Sequence, residues 1–299
     1  MEDKILHKPV LVDEVIRSLR LKRRCKVLDA TVGCGGHASF ILDIIRPDGL
    51  LIGIDRDASS LKIAKERTKK FSSICKMVHA NFCDLDSVLL SLGVDKIDAA
   101  LFDFGVSSFQ IDDPGRGFSF QHDGFLDMRM DLSGSLRAYD IVNRYRKEEL
   151  ENVIYDFGGE RYSRKIARFI LERRRNKPIE STKDLSELIK KAVGARYRGQ
   201  KIHPATRTFQ ALRIAVNSEL KNIDSALQKI VKLMQRGGRI SAISFHSLED
   251  RIAKVRFKEF EKCGLGRILT KKPISASDSE IMENPRSRSA KLRVFESTG

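Results

Sequence analysis

Three aspartates stand where strand-like runs end: Asp29 after Val27-Leu28, Asp55 after Leu50-Leu51-Ile52-Gly53-Ile54, and Asp103 after the run from Ile97 to Phe102. Between the first two lie a small-residue loop, Gly33-Cys34-Gly35-Gly36-His37, and the helical apolar pattern Phe40, Ile41, Ile44, Ile45. Strand, glycine loop, helix, strand and acid make the first βαβ unit of a nucleotide-binding sheet. Glycine is needed there because a side chain would hold the backbone off the ligand. The acid ending the second strand can accept hydrogen bonds from both hydroxyls of a ribose. Ligands of open α/β sheets bind beyond the carboxyl ends of the strands. That rule gathers residues 29–37, Asp55, Phe82 and residues 103–110 at one edge, with His246 after a later strand.

The nucleotide itself is less fixed. Gly33, Gly35 and Ala38 satisfy G-x-G-x-x-A, with Asp55 about 20 residues on, which is the dinucleotide spacing. Two details favour S-adenosylmethionine instead. Asp29 precedes the glycines, where a carboxylate suits the ammonium of a methionine moiety and sits poorly beside a pyrophosphate. The fourth run then ends in polar groups rather than another phosphate loop. Phe82 after the third strand either stacks on an adenine ring or fills the core. Asp103 is either a cofactor-binding acid or the group that orients an amino nitrogen and takes its proton.

These residues need a scaffold, and composition sets its terms. The chain has 299 residues and 41% apolar content, enough for one large or two ordinary domains. No apolar run approaches the ~20 residues of a membrane span. The N-terminus carries no signal-peptide core, so a cytoplasmic protein without a membrane partner is expected. Five cysteines form no C-x-x-C pair and no metal spacing, and read as reduced, mostly buried thiols. The net charge is +16. Between Arg137 and Arg213, twenty Lys/Arg stand against ten Asp/Glu, so most of the excess sits in one stretch. A polyanion, and nucleic acid in particular, is the expected partner.

Strand and helix patterns alternate through Asp103 and then stop. From Phe109 to about Lys201 the chain reads as a Gly/Asp/Ser-rich loop and helices around 137–156, 160–176 and 182–195. A long helical pattern from Thr206 to Met234 leads back, Gly237-Gly238 ends it, and 239–245 is a fifth strand. Two further strand candidates, 267–270 and 291–295, flank a Pro/Ser/Arg-rich loop. The expected organisation is a sheet domain over 1–109 and 206–299, with a helical domain inserted over 110–205. Ser247, with Asp250 three residues on, reads as a helix N-cap.

Six segments together resemble a known family: VLDATVGCGGHA, DFGVSSFQIDDPGRGFSF with DGFLDMRMD, ERYSRKIAR, HPATRTFQALRIAVNSEL, SFHSLEDR and NPRSRSAKLR. They occur in order in the bacterial 16S ribosomal RNA (cytosine-N4)-methyltransferases, the MraW/RsmH family. The resemblance implies a Rossmann-like S-adenosylmethionine-dependent methyltransferase sheet with an inserted substrate-recognition domain. It implies methylation of a cytidine N4 in the decoding region of 16S rRNA, within the small ribosomal subunit. Direct transfer from the donor to the amino nitrogen is expected to need no metal, and the resemblance leaves a homodimer open. Matched by position, the cofactor contacts fall on Gly35, Gly36, His37, Asp55, Phe82, Asp103 and Gln110, with Gly33 in the same loop. Asp103 is the expected catalytic group, with Ser107, Ser108 and His246 as helpers. Arg173, Arg174, Arg196, Arg198, Lys201, Arg207, Arg286 and Arg288 are the expected RNA contacts. The sequence departs from the family pattern at Phe104, where leucine is expected, and at Phe109 and Phe125, where prolines are.

A cytosine-C5 methyltransferase would need a cysteine nucleophile at the end of the fourth or fifth strand. Residues 102–108 and 244–247 contain none. The Ser/Asn-Pro-Pro-Tyr/Trp tetrapeptide of DNA (cytosine-N4) methyltransferases is absent as well. An assembly factor that coats rRNA without chemistry would explain the charge but not the polar end of the fourth strand.

Overall fold

Side chains alternate along the central strands, and here both sets are apolar. Leu28, Ile52, Ile54, Ala100, Phe102, Ile240 and Ala242 face one side; Val27, Leu51, Ala99, Leu101 and Ile243 face the other. A sheet apolar on both faces has to be covered by helices on both. The computed structural model, which describes residues 9–197 and 202–299, has that architecture. Its strands are β1 (Lys26–Asp29), β2 (Leu50–Asp55), β3 (Cys75–His79), β4 (Ile97–Asp103), β5 (Met234–Ser244), β6 (Gly266–Ile268) and β7 (Lys291–Ser297). They form one sheet in the order β3-β2-β1-β4-β5-β7-β6. β1 to β5 run parallel, and β7 is antiparallel to both β5 and β6. This is the Rossmann-like α/β class that the sequence led us to expect.

One face is covered by Leu85, Val88 and Leu89 of the helix Leu85–Ser91, Ile223, Leu227 and Ile230 of Glu219–Ile230, and Ala253, Phe257 and Phe260 of Ser247–Lys262. The other is covered by Val15 and Leu19 of Val12–Leu19, Ile41, Leu42 and Ile45 of Gly36–Ile45, and Leu61 and Ala64 of Ala58–Arg67.

The chain divides into two compact units: residues up to Gly105 together with Leu220–Gly299, and Val106–Glu219. These limits differ from the expected 110 and 205. Helix Thr206–Asn217, expected to lead back to the sheet, instead buries Phe209 and Leu212 in the helical unit's own core. That core also holds Ile141, Leu150, Ile154, Ile166, Ile170, Leu185 and Ile189, from the helices Ala138–Arg144, Lys147–Gly158, Ser163–Arg174 and Thr182–Val193. Asn217 fastens the preceding loop. Its Oδ1 accepts from Met130 N at 2.8 Å, and its Nδ2 donates to the Met128 carbonyl at 2.7 Å.

Other sequence expectations shift too. The pattern from Thr206 to Met234 is two helices, broken where Ser218 takes a left-handed backbone (φ 50°). Gly237-Gly238 does not end a helix. It lies inside β5, where two residues of β4, Ile97 and Ala99, pair with Met234 and Arg239, five apart, so the glycines occupy a bulge. All five cysteines are free, but four are half-buried and Cys263 is exposed, so they are less buried than expected. Among the described residues no helix is long and apolar enough to cross a membrane.

Candidate active site

The loop after β1 is braced by Asp55 at the end of β2. Asp55 Oδ2 accepts from Gly33 N at 2.7 Å and Oδ1 from Asp57 N at 2.8 Å. Each carboxylate oxygen keeps a second lone pair, so the acceptor capacity expected for a ribose persists. Burial pushes the Asp55 carboxyl up to about 6. Gly33 and Gly35 have φ of +52° and +79°, which a side chain rarely adopts. A Cβ on Gly35 would also stand 3.2 Å from Ala64 Cα, and one on Gly36 3.2 Å from Pro9. These glycines therefore answer to the loop's own packing as well as to any ligand.

His37, in the first turn of helix Gly36–Ile45, is buried, with Nε2 2.9 Å from the Val10 carbonyl. A carbonyl only accepts, so Nε2 carries the proton and Nδ1 presents a lone pair. Burial lowers the imidazole to about 4, so the ring is neutral. Nδ1 lies 3.7 Å from Asp103 Oδ2.

Asp103 is the centre of this edge. Burial, then the charges of Asp29 and Glu249, push its carboxyl up to about 8. Its Oδ1 is buried and has no hydrogen-bond partner among the described residues. An orphaned buried oxygen is costly unless something else satisfies it. Asp29, 1% exposed at the end of β1, is raised to about 7 by burial and, more weakly, by Asp55. Several carboxyls at one sheet edge, each held towards its neutral form, suit a ligand that brings positive charge and N–H or O–H donors. S-adenosylmethionine, whose ammonium and sulfonium bring positive charge and whose ammonium and two ribose hydroxyls are donors, fits that set.

Thr31 is a residue that sequence reasoning missed. Its Oγ1 accepts from the Asp103 backbone N at 2.6 Å, and its own N donates to Asp29 Oδ1 at 3.3 Å. It ties the ends of β1 and β4 together. The available signal was a hydroxyl two positions past a strand-ending acid, where the N–H of a longer neighbouring strand has no ladder partner.

Phe82 stays half-buried, and its ring centroid lies 6.3 Å from those of both Phe102 and Phe104. The core reading holds for at least part of the ring.

His246 differs from expectation. It, not Ser247, is the N-cap of helix Ser247–Lys262, with Glu249, not Asp250, as its reciprocal partner. Its Nδ1 accepts from Glu249 N at 3.4 Å, and its Nε2 lies 3.0 Å from Glu249 Oε1. Glu249 is fully buried and also accepts from the backbone N of Phe245 and of His246. Nδ1 of His246 is thus committed to the cap, whereas Nε2, although close to Glu249 Oε1, is buried without a hydrogen-bond partner among the described residues. Asp250 instead pairs with Arg293 at 2.7 Å.

Ser107, Ser108 and Gln110 belong to the helical unit. Ser107 caps the short helix Ser108–Asp112, accepting from Gln110 N at 3.2 Å, while Gln110 Oε1 accepts from Ser107 N at 3.0 Å. Gln110 is buried in this reciprocal cap, a role its expected cofactor contact did not include.

The expected RNA contacts divide. Arg174 donates to the Val142 and Tyr145 carbonyls at 2.7 and 2.6 Å, which satisfies the end of helix Ala138–Arg144. That placement corrects its reading as a free phosphate ligand. Arg173 reaches the Lys177 carbonyl and Arg207 the Gly159 carbonyl, both from half-buried positions. Arg288 is exposed, and Arg286 half-buried, in the turn Pro285–Ser289. Arg198, Lys201 and the side chain of Arg196 lie outside the described residues.

The MraW methylase family model matches residues 4–298. A ribosomal RNA small subunit methyltransferase H from Sulfurihydrogenibium is 51% identical over 96% of this chain and 98% of its own. One of the same description from Clostridium botulinum is 48% identical over 96% and 97%. The solved structure of an rRNA methylase from Streptococcus thermophilus matches at 10% identity with a TM-score of 0.43, covering 96% of this chain and 94% of that one.

Proposed function

This chain belongs to the MraW methylase family and is an S-adenosylmethionine-dependent rRNA methyltransferase; from that premise we propose that its target is the N4 amino group of a cytidine in the decoding region of 16S rRNA. The observation that carries the chemistry is Asp103: a half-buried carboxyl at the end of β4, with one oxygen buried and unpartnered among the described residues and the other facing neutral His37.

The methyl donor supplies an electrophilic methyl on a sulfonium. The amino nitrogen of cytosine is a poor nucleophile until its lone pair leaves the ring's conjugation. A carboxylate that accepts one N–H turns that lone pair toward the methyl and then takes the proton as the C–N bond forms. In this reading Asp103 performs both tasks. A cation bound at this edge favours its ionised form, reversing the elevation that burial imposes. His37 cannot compete for that proton, since burial keeps its ring neutral. Asp55 and the loop from Gly33 to His37 hold the nucleoside end of the donor, and Asp29 its ammonium. The helical unit, with its basic surface, serves as the RNA-recognition domain.

A C5 methyltransferase remains disfavoured. Cys34 lies in the glycine loop rather than at a strand end, and burial raises its thiol further from the thiolate. The test is mass spectrometry of nucleosides from small-subunit rRNA incubated with enzyme and donor. N4-methylcytidine is expected; 5-methylcytidine in its place would overturn the assignment.

A further inference from the structure

Charge in the helical unit is not evenly neutralised. Helix Lys147–Gly158 pairs Lys147 with Glu151 at 3.5 Å, and Arg144 of the preceding helix pairs with Asp140 at 3.3 Å. Such i,i+4 pairs cancel charge locally. The next helix, Ser163–Arg174, does otherwise. From Glu160 to Lys177 the sequence holds eight Lys/Arg and two Asp/Glu. One of those acids, Glu160, is wholly buried and accepts hydrogen bonds from Tyr162 N and Tyr197 Oη. The other, Glu172, stands 3.6 Å from Arg168 in an exposed pair of the kind worth little in water.

Arg164, Lys165 and Arg168 are one and three residues apart in this helix, which puts them on one face, and Arg161 stands in the turn that leads into it. Ile166, Ala167 and Ile170 form the opposite face, in the core. Arg161, Arg164 and Arg168 are exposed, and neither Arg161 nor Arg164 has a side-chain hydrogen bond or ion pair among the described residues. Lys165 and Arg168 each lie 5.7 Å from the Phe169 ring, which holds both cations to the surface beside it. None of the four was among the expected RNA contacts, and Arg174, which was, spends its guanidinium inside the unit.

We propose that this face is a phosphate-binding ridge that grips the RNA backbone of the substrate, an inference that rests on the rRNA methyltransferase reading above. From Arg161 to Arg168 the chain spans ~10 Å even at helical rise, and a duplex strand presents a phosphate every ~3.4 Å along its axis, so the ridge meets about three phosphates. Four cations with a single exposed acid, Glu172, beside them release counterions when they bind at backbone spacing, and their partner is a polyanion rather than a single acidic group. The contacts carry no base information. They position the substrate, while the residues at the sheet edge perform the chemistry.

The test replaces all four by glutamine (R161Q/R164Q/K165Q/R168Q). The control changes as many exposed lysines elsewhere (K62Q/K65Q/K69Q/K70Q). Binding to naked small-subunit rRNA and to the assembled small subunit is followed from 50 to 200 mM salt. Each lost phosphate contact lowers the slope of log K against log salt by about 0.7–0.9. The ridge variant should therefore have a slope smaller by roughly 2–3, and wild type should lose roughly 16–64-fold more affinity than it across that range. KM for RNA should rise, while kcat at saturating RNA, S-adenosylmethionine affinity and Tm stay within twofold or a few degrees of wild type. A slope equal to that of wild type, or a loss no larger than the control's, would overturn the proposal. So would a loss confined to the assembled subunit, which would place an acidic protein on the face. A wild-type enzyme that methylates neither substrate would instead refute the functional reading, and the binding slopes would still decide the ridge.

Discussion

Replacing Asp29 with asparagine removes a carboxyl whose burial in the donor-free protein works against folding. The side chain is 1% exposed and its carboxyl is pushed up to about 7, against ~3.9 for an aspartate in an unfolded chain. The sign follows from proton counts. Between those two values the folded protein binds the proton and the unfolded chain does not, so stability falls as pH rises through the interval. The fall ends once pH passes the folded value. Between pH 5.5 and 8 this one group removes about 2 kcal/mol, at 1.36 kcal/mol for each unit over which the two forms differ. Asparagine keeps the Oδ1 that accepts from Thr31 N and carries no titration. Calorimetry of donor-free wild type and Asp29→Asn at pH 5.5 and 8 measures the difference, read on the transition that S-adenosylmethionine shifts. Wild type should lose about 2 kcal/mol more than the variant over that range. Donor affinity supplies the second arm. Losing a charge-assisted partner for the ammonium should weaken it by about ten- to a hundredfold at pH 8. Parallel stability curves for the two proteins would refute the claim that Asp29 is held neutral by burial.

Three further outcomes are expected. Thr31→Val leaves the part-buried Asp103 N–H without its acceptor, costing about 1–3 kcal/mol; kcat should drop at least tenfold with KM for RNA unmoved, and Thr31→Ser should restore it in steady-state assays. His246→Ala should cost about 1 kcal/mol of thermal stability as a lost cap while activity stays within tenfold; a hundredfold loss in methyl transfer would reinstate the imidazole as a base. Gly35→Ala places a Cβ on a residue at φ +79°, 3.2 Å from Ala64 Cα; calorimetric titration should find donor affinity reduced more than tenfold, because the loop must move to relieve both strains.

The first half of the sheet was legible because its signals are local. Val27-Leu28-Asp29, the glycine turn and Leu50–Asp55 lie within thirty residues, and the structure places each where its pattern put it. β4 ends on Asp103 as read. Elsewhere, signals of similar local strength compete. Helical periodicity continues unbroken across Ser218, and only the backbone turn there separates Thr206–Asn217 from Glu219–Ile230. Two glycines usually stop a helix, yet Gly237-Gly238 serve a strand, since the decisive contact is with β4, far away in sequence. The capping box around His246 was misread by one position. Ser247 is the commoner cap residue, and nothing local reveals that Glu249 is wholly buried and accepts from the backbone N–H of both Phe245 and His246. Thr31 and Arg174 matter through partners at sequence separations of 72 and about 30 residues, which no motif spacing encodes.

The place where the helical unit interrupts the sheet also bears on synthesis. β4 and β5 are neighbours, but roughly 130 residues separate the end of one from the start of the other. At ~5–20 residues per second, a ribosome needs roughly 7–26 s to deliver β5 after β4 is complete. Through that interval the four strands already made present β4 as an open apolar margin, while the helical unit, whose core draws only on its own residues, can close first. A nascent chain stalled before Met234 should therefore be protease-sensitive over residues 26–103 and protected over the completed helices, with chaperone demand falling on the segment that was translated earliest.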